Sequence, residues 1–155
     1  MKVTVDLQIA CKDSIPDKAK FQSWAEAALA EVVEDCELSI RLVEVNESTR
    51  INSIYRGIAK PTNVLSFTSD ILPPIQPRLL GDLVICNTVV EAEARQQHKQ
   101  SHDHWAHMVI HGCLHLLSYD HIETDEAKKM EALEVEILQS LNIDNPHPVK
   151  RTINE

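Results

Sequence analysis

Three histidines in the second half of the chain have the spacing of a metal site. His111 and His115 are four residues apart, and His121 follows six residues later. On a helix, residues four apart lie on one face, so the first two imidazoles can reach a single ion. The polar residues 118–120 can form a turn that brings His121 back toward that pair. Three neutral imidazoles would leave one position of a zinc ion open for water, which is the arrangement of catalytic zinc.

The segment around these histidines is apolar on nearly every side over about residues 103–117, which predicts a buried helix. A buried imidazole without a partner costs about 1–3 kcal/mol, and one metal ion would satisfy several. For a single histidine, a residue held by ordinary hydrogen bonds would be the better interpretation, but three at this spacing favour one zinc ion per chain. His107 lies one turn before His111. The sequence leaves open whether it supports the ion, faces a substrate or is partly exposed.

The residue after the first histidine bears on the kind of chemistry. In the peptidase motif HExxH this residue is the glutamate that acts as general base, whereas here it is Gly112. Asp120 or Glu123 could take over that role, but both also have structural uses near a helix start. A zinc peptidase is therefore the weaker alternative.

Hydrophobic periodicity indicates the elements that must position the histidines. Strands are predicted at 3–9, 38–42, 64–67 and 81–86. Helices are predicted between the first two strands, ending near Glu34, and at 47–55, 87–97 and 103–117, with a last helix that begins at Thr124. Strands interleaved with helices indicate an α/β or α+β sandwich around one small sheet, whose strand order stays open. A chain of 155 residues is expected to form one domain over 1–155, with a frayed tail from about residue 142.

The composition restricts the possible partners. The net charge of −9 argues against a broad nucleic-acid-binding surface, so an anionic substrate would need a metal and one or two arginines as a local cationic site. No apolar run is long enough for a transmembrane helix, and the N-terminal segment lacks the apolar core of a signal peptide. We therefore expect a cytoplasmic protein without a membrane partner. The four cysteines are scattered and are interpreted as small buried residues.

Three sequence blocks resemble one known family. The segment HGCLHLLSYDH at 111–121 closely resembles the signature of the YbeY family, bacterial metal-dependent endoribonucleases of ribosomal RNA maturation. The blocks NSIYRG at 52–57 with KPTNVLSF at 60–67, and LGDLVI at 80–85, agree with the family in the same order. One departure is Ser118, where the family usually has glycine. If that turn needs a positive φ, serine is strained there.

The resemblance implies an α+β fold, one zinc ion on His111, His115 and His121, and a functional role for Arg56. It also implies cleavage of single-stranded RNA in 16S ribosomal RNA 3′-end maturation and ribosome quality control. The expected partners are then ribosomal RNA and the ribosome or its proteins, and not DNA.

The implied chemistry is phosphodiester cleavage. Zinc can polarise a phosphoryl oxygen or lower the pKa of a bound water, and Arg56 would clamp the phosphate. Lys60 and Arg78 either widen this cationic site or are ordinary surface charges. Base stacking would depend on Phe67, Tyr55 or Tyr119 at most. The general base stays open, as does the choice between water and the RNA 2′-hydroxyl as the attacking group.

A non-catalytic zinc-stabilised module that docks on the ribosome or on another protein is a further alternative. The absence of a fourth protein ligand from the predicted site disfavours it, because structural zinc sites are usually closed by four protein ligands.

Overall fold

The computed structural model describes residues 2–71, 76–117, 124–144 and 146. These residues contain strands β1 (Val3–Ala10), β2 (Cys36–Val43), β3 (Val64–Thr68) and β4 (Arg78–Cys86). They also contain helices α1 (Lys18–Ala28), α2 (Val45–Arg56), α3 (Asn87–Gln96), α4 (Ser101–Leu116) and α5 (Thr124–Ser140). None of these helices combines the length and apolar character needed to span a bilayer.

The strands form one mixed sheet in the order β1-β2-β4-β3. β1 pairs with β2 and β2 with β4 in parallel, whereas β3 and β4 are antiparallel. Helices connect the parallel strands, as parallel pairs require. The predicted α+β fold with a single small mixed sheet is confirmed.

Side chains along β2 alternate between the two faces of the sheet, and each face carries its own apolar cluster. Leu38, Ile40 and Leu42 are buried on the face that packs against α1 and α4. A smaller apolar cluster on the other face, beside α2, contains Val43, Leu65, Val84 and Cys86. Most of the buried apolar surface therefore lies between the sheet and the helix that carries the histidines.

Helix α4 is the central helix of this core, as its apolar sequence predicts. It packs against α1, α3, α5, β3 and β4. Trp105, Ile110 and Leu114 are almost completely inaccessible to solvent. Polar side chains on this helix must therefore find their partners inside the protein.

Some predicted boundaries differ from the structure. Helix α1 ends at Ala28 rather than near Glu34, because the chain turns so that the backbone N–H of Cys36 can pair with Lys2. After α5, Asn142 adopts a left-handed φ of 61° and Ile143 folds back into the core, so the chain is packed to at least that residue. Three cysteines are buried as expected, whereas Cys11 is half-buried.

Candidate metal centre

His111 and His115 face each other, as their spacing on one helix predicts. Their Nε2 atoms are 3.1 Å apart, and their ring centroids are 4.6 Å apart. Both side chains are half-buried, and they lie toward the end of α4, which finishes at Leu116. Two nitrogens that share a tetrahedral zinc ion lie about 3.3 Å from each other, given zinc–nitrogen distances of 2.0–2.1 Å. The observed separation therefore fits two ligands of one ion.

Glu134 on α5 is a member of this cluster that the sequence interpretation missed. Its side chain is completely buried, and its Oε2 accepts a hydrogen bond from Nδ1 of His111. Its Oε1 accepts a hydrogen bond from Nε2 of His107 at 3.3 Å. One carboxylate thus connects two histidines on successive turns of α4.

The environment of this carboxylate keeps it ionised. Burial alone would raise the pKa of Glu134, but the hydrogen bonds from His107 and His111 outweigh burial and hold that pKa below its usual range. Burial also lowers the pKa of His107 and outweighs the opposing effect of Glu134. A lowered pKa favours a neutral His107 imidazole at pH 7. The cluster therefore combines a carboxylate with imidazoles, which are ligand types that divalent transition metals bind.

Two overlapping ligand sets could hold a metal ion. Ligand atoms of His107, His111 and Glu134 all lie within 4.8 Å of one another, in the interior. The Nε2 atoms of His111 and His115 form the second set, nearer the surface. His111 belongs to both sets, since its Nδ1 contacts Glu134 and its Nε2 contacts His115. The third predicted ligand, His121, lies outside the described residues, as do Ser118, Tyr119, Asp120 and Glu123.

Gly112 lies against the sheet and not in an open cleft. A Cβ atom at this position would lie 2.8 Å from Cδ2 of Leu83 and 3.3 Å from Cγ2 of Val64. The carbonyl oxygen of Gly112 accepts a hydrogen bond of 3.3 Å from the Ser66 hydroxyl on β3. The position that carries the general base in HExxH peptidases is thus filled by the sheet.

Arg56 occupies the last turn of α2 and is exposed. The helix ends there because Gly57 adopts a left-handed conformation with φ 70°, and its N–H donates to the carbonyl oxygen of Ser53. Within the described ranges Arg56 forms no ion pair, and it makes no hydrogen bond to His111 or His115. Arg78, in contrast, is paired with Glu34 at 2.9 Å.

A second polar group links the loop before β3 to the histidine helix. Nδ2 of Asn63 lies 3.2 Å from both carboxylate oxygens of Glu93 on α3. Oε1 of Glu93 accepts a hydrogen bond of 2.8 Å from Nε2 of His104, which is buried on α4. Spacing along the chain does not indicate a role for His104, because the carboxylate that it contacts lies on another helix.

The sequence signal for Glu134 was its position within the apolar face of α5. It lies four residues after Met130 and four before Leu138, and both are fully buried. A carboxylate on such a face must be buried and must therefore be paired. This position therefore indicates that Glu134 has a polar partner in the core, although it does not identify that partner.

Comparison with known proteins identifies the family and the fold of this chain. The family described as "Endoribonuclease YbeY" matches residues 7–142 of this chain. A solution structure of TM1509 from Thermotoga maritima is similar in fold, with a TM-score of 0.57 and 24% sequence identity. That similarity covers 96% of this chain and all of the other. Because the family match extends over most of the sequence, the chain belongs to the YbeY endoribonuclease family.

Proposed function

We propose that this protein is a zinc-dependent endoribonuclease that cleaves single-stranded RNA at an ion held by His111, His115 and His121. The observation that carries the proposal is the 3.1 Å separation of the His111 and His115 Nε2 atoms, in a chain that belongs to an endoribonuclease family. We propose further that it acts in the cytoplasm, on the 3′ end of 16S ribosomal RNA and in ribosome quality control, as one domain.

The position of the two ligand sets favours the outer one for the ion. His111 and His115 are half-buried, so an ion beside them can meet both solvent and a substrate. Glu134 is completely inaccessible, and both of its carboxylate oxygens accept hydrogen bonds from imidazoles. Catalytic zinc needs an open coordination position, which the half-buried pair provides better than the interior set.

Zinc at this site would polarise a phosphoryl oxygen, lower the pKa of a coordinated water, or do both. Arg56 would bind the phosphate through two parallel hydrogen bonds and stabilise the charge that develops during cleavage. The exposed guanidinium of Arg56 has no competing ion pair among the residues that the structure describes, which supports this role.

The sequence around Arg56 is suited to RNA although the whole chain is acidic. Residues 48–69 contain Arg50, Arg56 and Lys60 and no aspartate or glutamate, in a chain with a net charge of −9. This segment ends in β3, which packs against α4 and contacts the backbone of Gly112 through Ser66. A cationic segment therefore leads to the strand beside the histidines, where electrostatic attraction can bring a phosphate backbone.

An aromatic pair within the same segment can bind an unpaired base. Tyr55 and Phe67 meet edge to face, with ring centroids 5.0 Å apart, and Tyr55 is 67% exposed. Both rings line a depression of about 520 Å³ on the sheet face beside α2. Base stacking on aromatic side chains contributes about 1–3 kcal/mol per base and does not depend on sequence. Duplex RNA presents no unpaired base to these rings, so the pair supports a single-stranded substrate.

Product analysis with three substrates tests the proposal against its rivals. Zinc-loaded protein is incubated with a single-stranded RNA, with the same RNA in a duplex and with casein, each with and without a chelator. We expect cleavage of the single strand alone, and its loss on chelation. Chelator-sensitive hydrolysis of casein would instead support a peptidase. Absence of any cleavage by zinc-loaded protein would support a non-catalytic module.

Two histidine variants of the same helix complete this experiment. His115→Ala should remove the activity, whereas His102→Ala should not, because His102 is an exposed residue in the first turn of α4. Equal activity in both variants would contradict the assignment of the metal site.

A further inference from the structure

A buried carboxylate on α5 contacts the side of the His111 ring that is turned away from His115. Nδ1 of His111 points to Glu134, whereas Nε2 points to His115. A carboxylate oxygen accepts a hydrogen bond from an imidazole N–H, so the contact between Oε2 and Nδ1 places the His111 proton on Nδ1. The lone pair of the same ring is then on Nε2, on the side where His115 lies.

We infer that Glu134 is a positioning residue that fixes the tautomer and the ring orientation of His111, so that its Nε2 is the metal-binding atom. The inference rests on the proposed function for the location of the ion, and it assigns to Glu134 a role other than that of a ligand. A carboxylate that accepts the second N–H of a metal-binding histidine makes that histidine a better ligand.

His107 keeps the carboxylate of Glu134 in place. Its Nε2 donates to Oε1, which leaves Oε2 for His111. Glu134 is thus held from two successive turns of α4, and α5 is joined to α4 at the metal centre. A side chain fixed at both oxygens cannot rotate freely, so the ring of His111 is oriented before any ion binds.

The tautomer of His111 can be measured without metal or substrate. Long-range proton–nitrogen NMR spectra of the zinc-free protein distinguish a protonated Nδ1 from a protonated Nε2 in a neutral imidazole. We expect the proton of His111 on Nδ1. A proton on Nε2 in the wild-type protein would overturn the inference, and this result does not depend on any variant folding.

Zinc affinity provides the second measurement. A glutamine at position 134 presents one oxygen and one NH₂ group, so it cannot accept a hydrogen bond at each of the two terminal atoms as Glu134 does. We expect Glu134→Gln to weaken zinc binding by about 10–100-fold in a competition titration with a chromophoric chelator. Glu134→Asp keeps two acceptor oxygens and should retain more affinity than the glutamine variant. Glu136→Gln, an exposed change on the same helix, is the matched control and should bind zinc as the wild type does.

Wild-type zinc affinity in folded Glu134→Gln would contradict the positioning role. If Glu134→Gln does not fold, the tautomer of the wild-type protein decides. Failure of the proposed function is distinguishable from both results. In that case zinc-loaded wild-type protein does not cleave RNA, although His111 has the expected tautomer and Glu134→Gln binds zinc weakly.

Discussion

A Cβ atom on Gly112 would lie 2.8 Å from Cδ2 of Leu83, which is completely buried on β4. The helix that carries His111 and His115 thus lies so close to the sheet that a side chain on the residue after His111 would have to displace the Leu83 side chain. HExxH peptidases carry their general base at this position. The close packing of α4 on the sheet explains why a histidine pair with peptidase spacing occurs here without that glutamate.

Restoring the peptidase motif should not produce a peptidase. Gly112→Glu would place a carboxylate against Leu83 and Val64 in the core, where overpacking and a buried charge both cost free energy. We expect the free energy of unfolding to fall by about 3 kcal/mol or more, without hydrolysis of casein. Chemical denaturation and a peptidase assay check both results. A stable variant that hydrolyses casein would show that the residue faces the substrate.

Metal content tests the ligand assignment separately from activity. The 3.1 Å approach of two imidazole nitrogens predicts about one zinc ion per chain in the purified protein. His115→Ala should lose the ion and keep its helix, because His115 is only half-buried at the end of α4. Elemental analysis and circular dichroism measure the two properties. Near-full zinc occupancy in His115→Ala would contradict the assignment.

Arg56 is predicted to act on the substrate and not on the fold. Because it is exposed at the end of α2, Arg56→Ala should fold normally and keep zinc. Arg56→Lys should fail as well, because an ammonium group cannot form the paired hydrogen bonds of a guanidinium. We expect single-turnover cleavage of RNA to fall by roughly 10²-fold or more in both variants.

Arg50→Ala is the matched control for Arg56, because both arginines are exposed on the same helix. It should weaken RNA binding modestly and leave the rate at saturating enzyme unchanged. If Arg56→Ala cleaves at the wild-type rate, Arg56 is a surface charge. If it loses zinc and stability together with activity, its role is structural.

Acid stability should depend on Glu93. Burial would raise the pKa of Glu93, but hydrogen bonds from His104 and Asn63 lower it below its ordinary value of 4.5. A carboxyl group with a lowered folded-state pKa contributes its full stabilisation at pH values above its unfolded-state pKa. This contribution is lost as the pH falls through the folded-state pKa. The contribution of Glu93 to the free energy of unfolding should therefore be constant near pH 7 and should decrease below about pH 4.5.

Glu93→Gln should remove this part of the pH dependence. We expect a loss of roughly 1–3 kcal/mol at pH 7 and a flatter decline toward pH 3 than in the wild type. Urea denaturation at several pH values measures the difference, and Glu131→Gln on the exposed face of α5 is the control. Parallel acid profiles for Glu93→Gln and the wild type would contradict the role of this carboxylate.

Local periodicity was sufficient to predict the elements and the close approach of His111 and His115. Alternation along Leu38, Ile40 and Leu42 follows directly from the pleat of a strand, and the four-residue interval between His111 and His115 follows from the helix repeat. Both inferences need only the geometry of one element. For that reason they could be made without the tertiary structure.

The features that the sequence did not reveal depend on contacts between elements. The order β1-β2-β4-β3 depends on which strands pair across long stretches of chain. Glu134 reaches His111 only because α5 packs on α4, and Glu93 reaches His104 only because α3 does so. Spacing along the chain carries no record of such contacts, and the position of Glu134 between Met130 and Leu138 indicates burial without identifying a partner.

The metal dependence of RNA cleavage can be measured on one protein sample in three states: with zinc, after metal removal and after zinc has been restored. Each state is assayed for single-turnover cleavage of a single-stranded RNA. We expect cleavage by the zinc-loaded protein, none after a chelator has removed the ion, and recovery when one equivalent of zinc is added. His115→Ala treated in the same way should stay inactive at every stage. Cleavage at the wild-type rate by the metal-free protein, or by zinc-free His115→Ala, would contradict a metal-dependent endoribonuclease centred on His111 and His115.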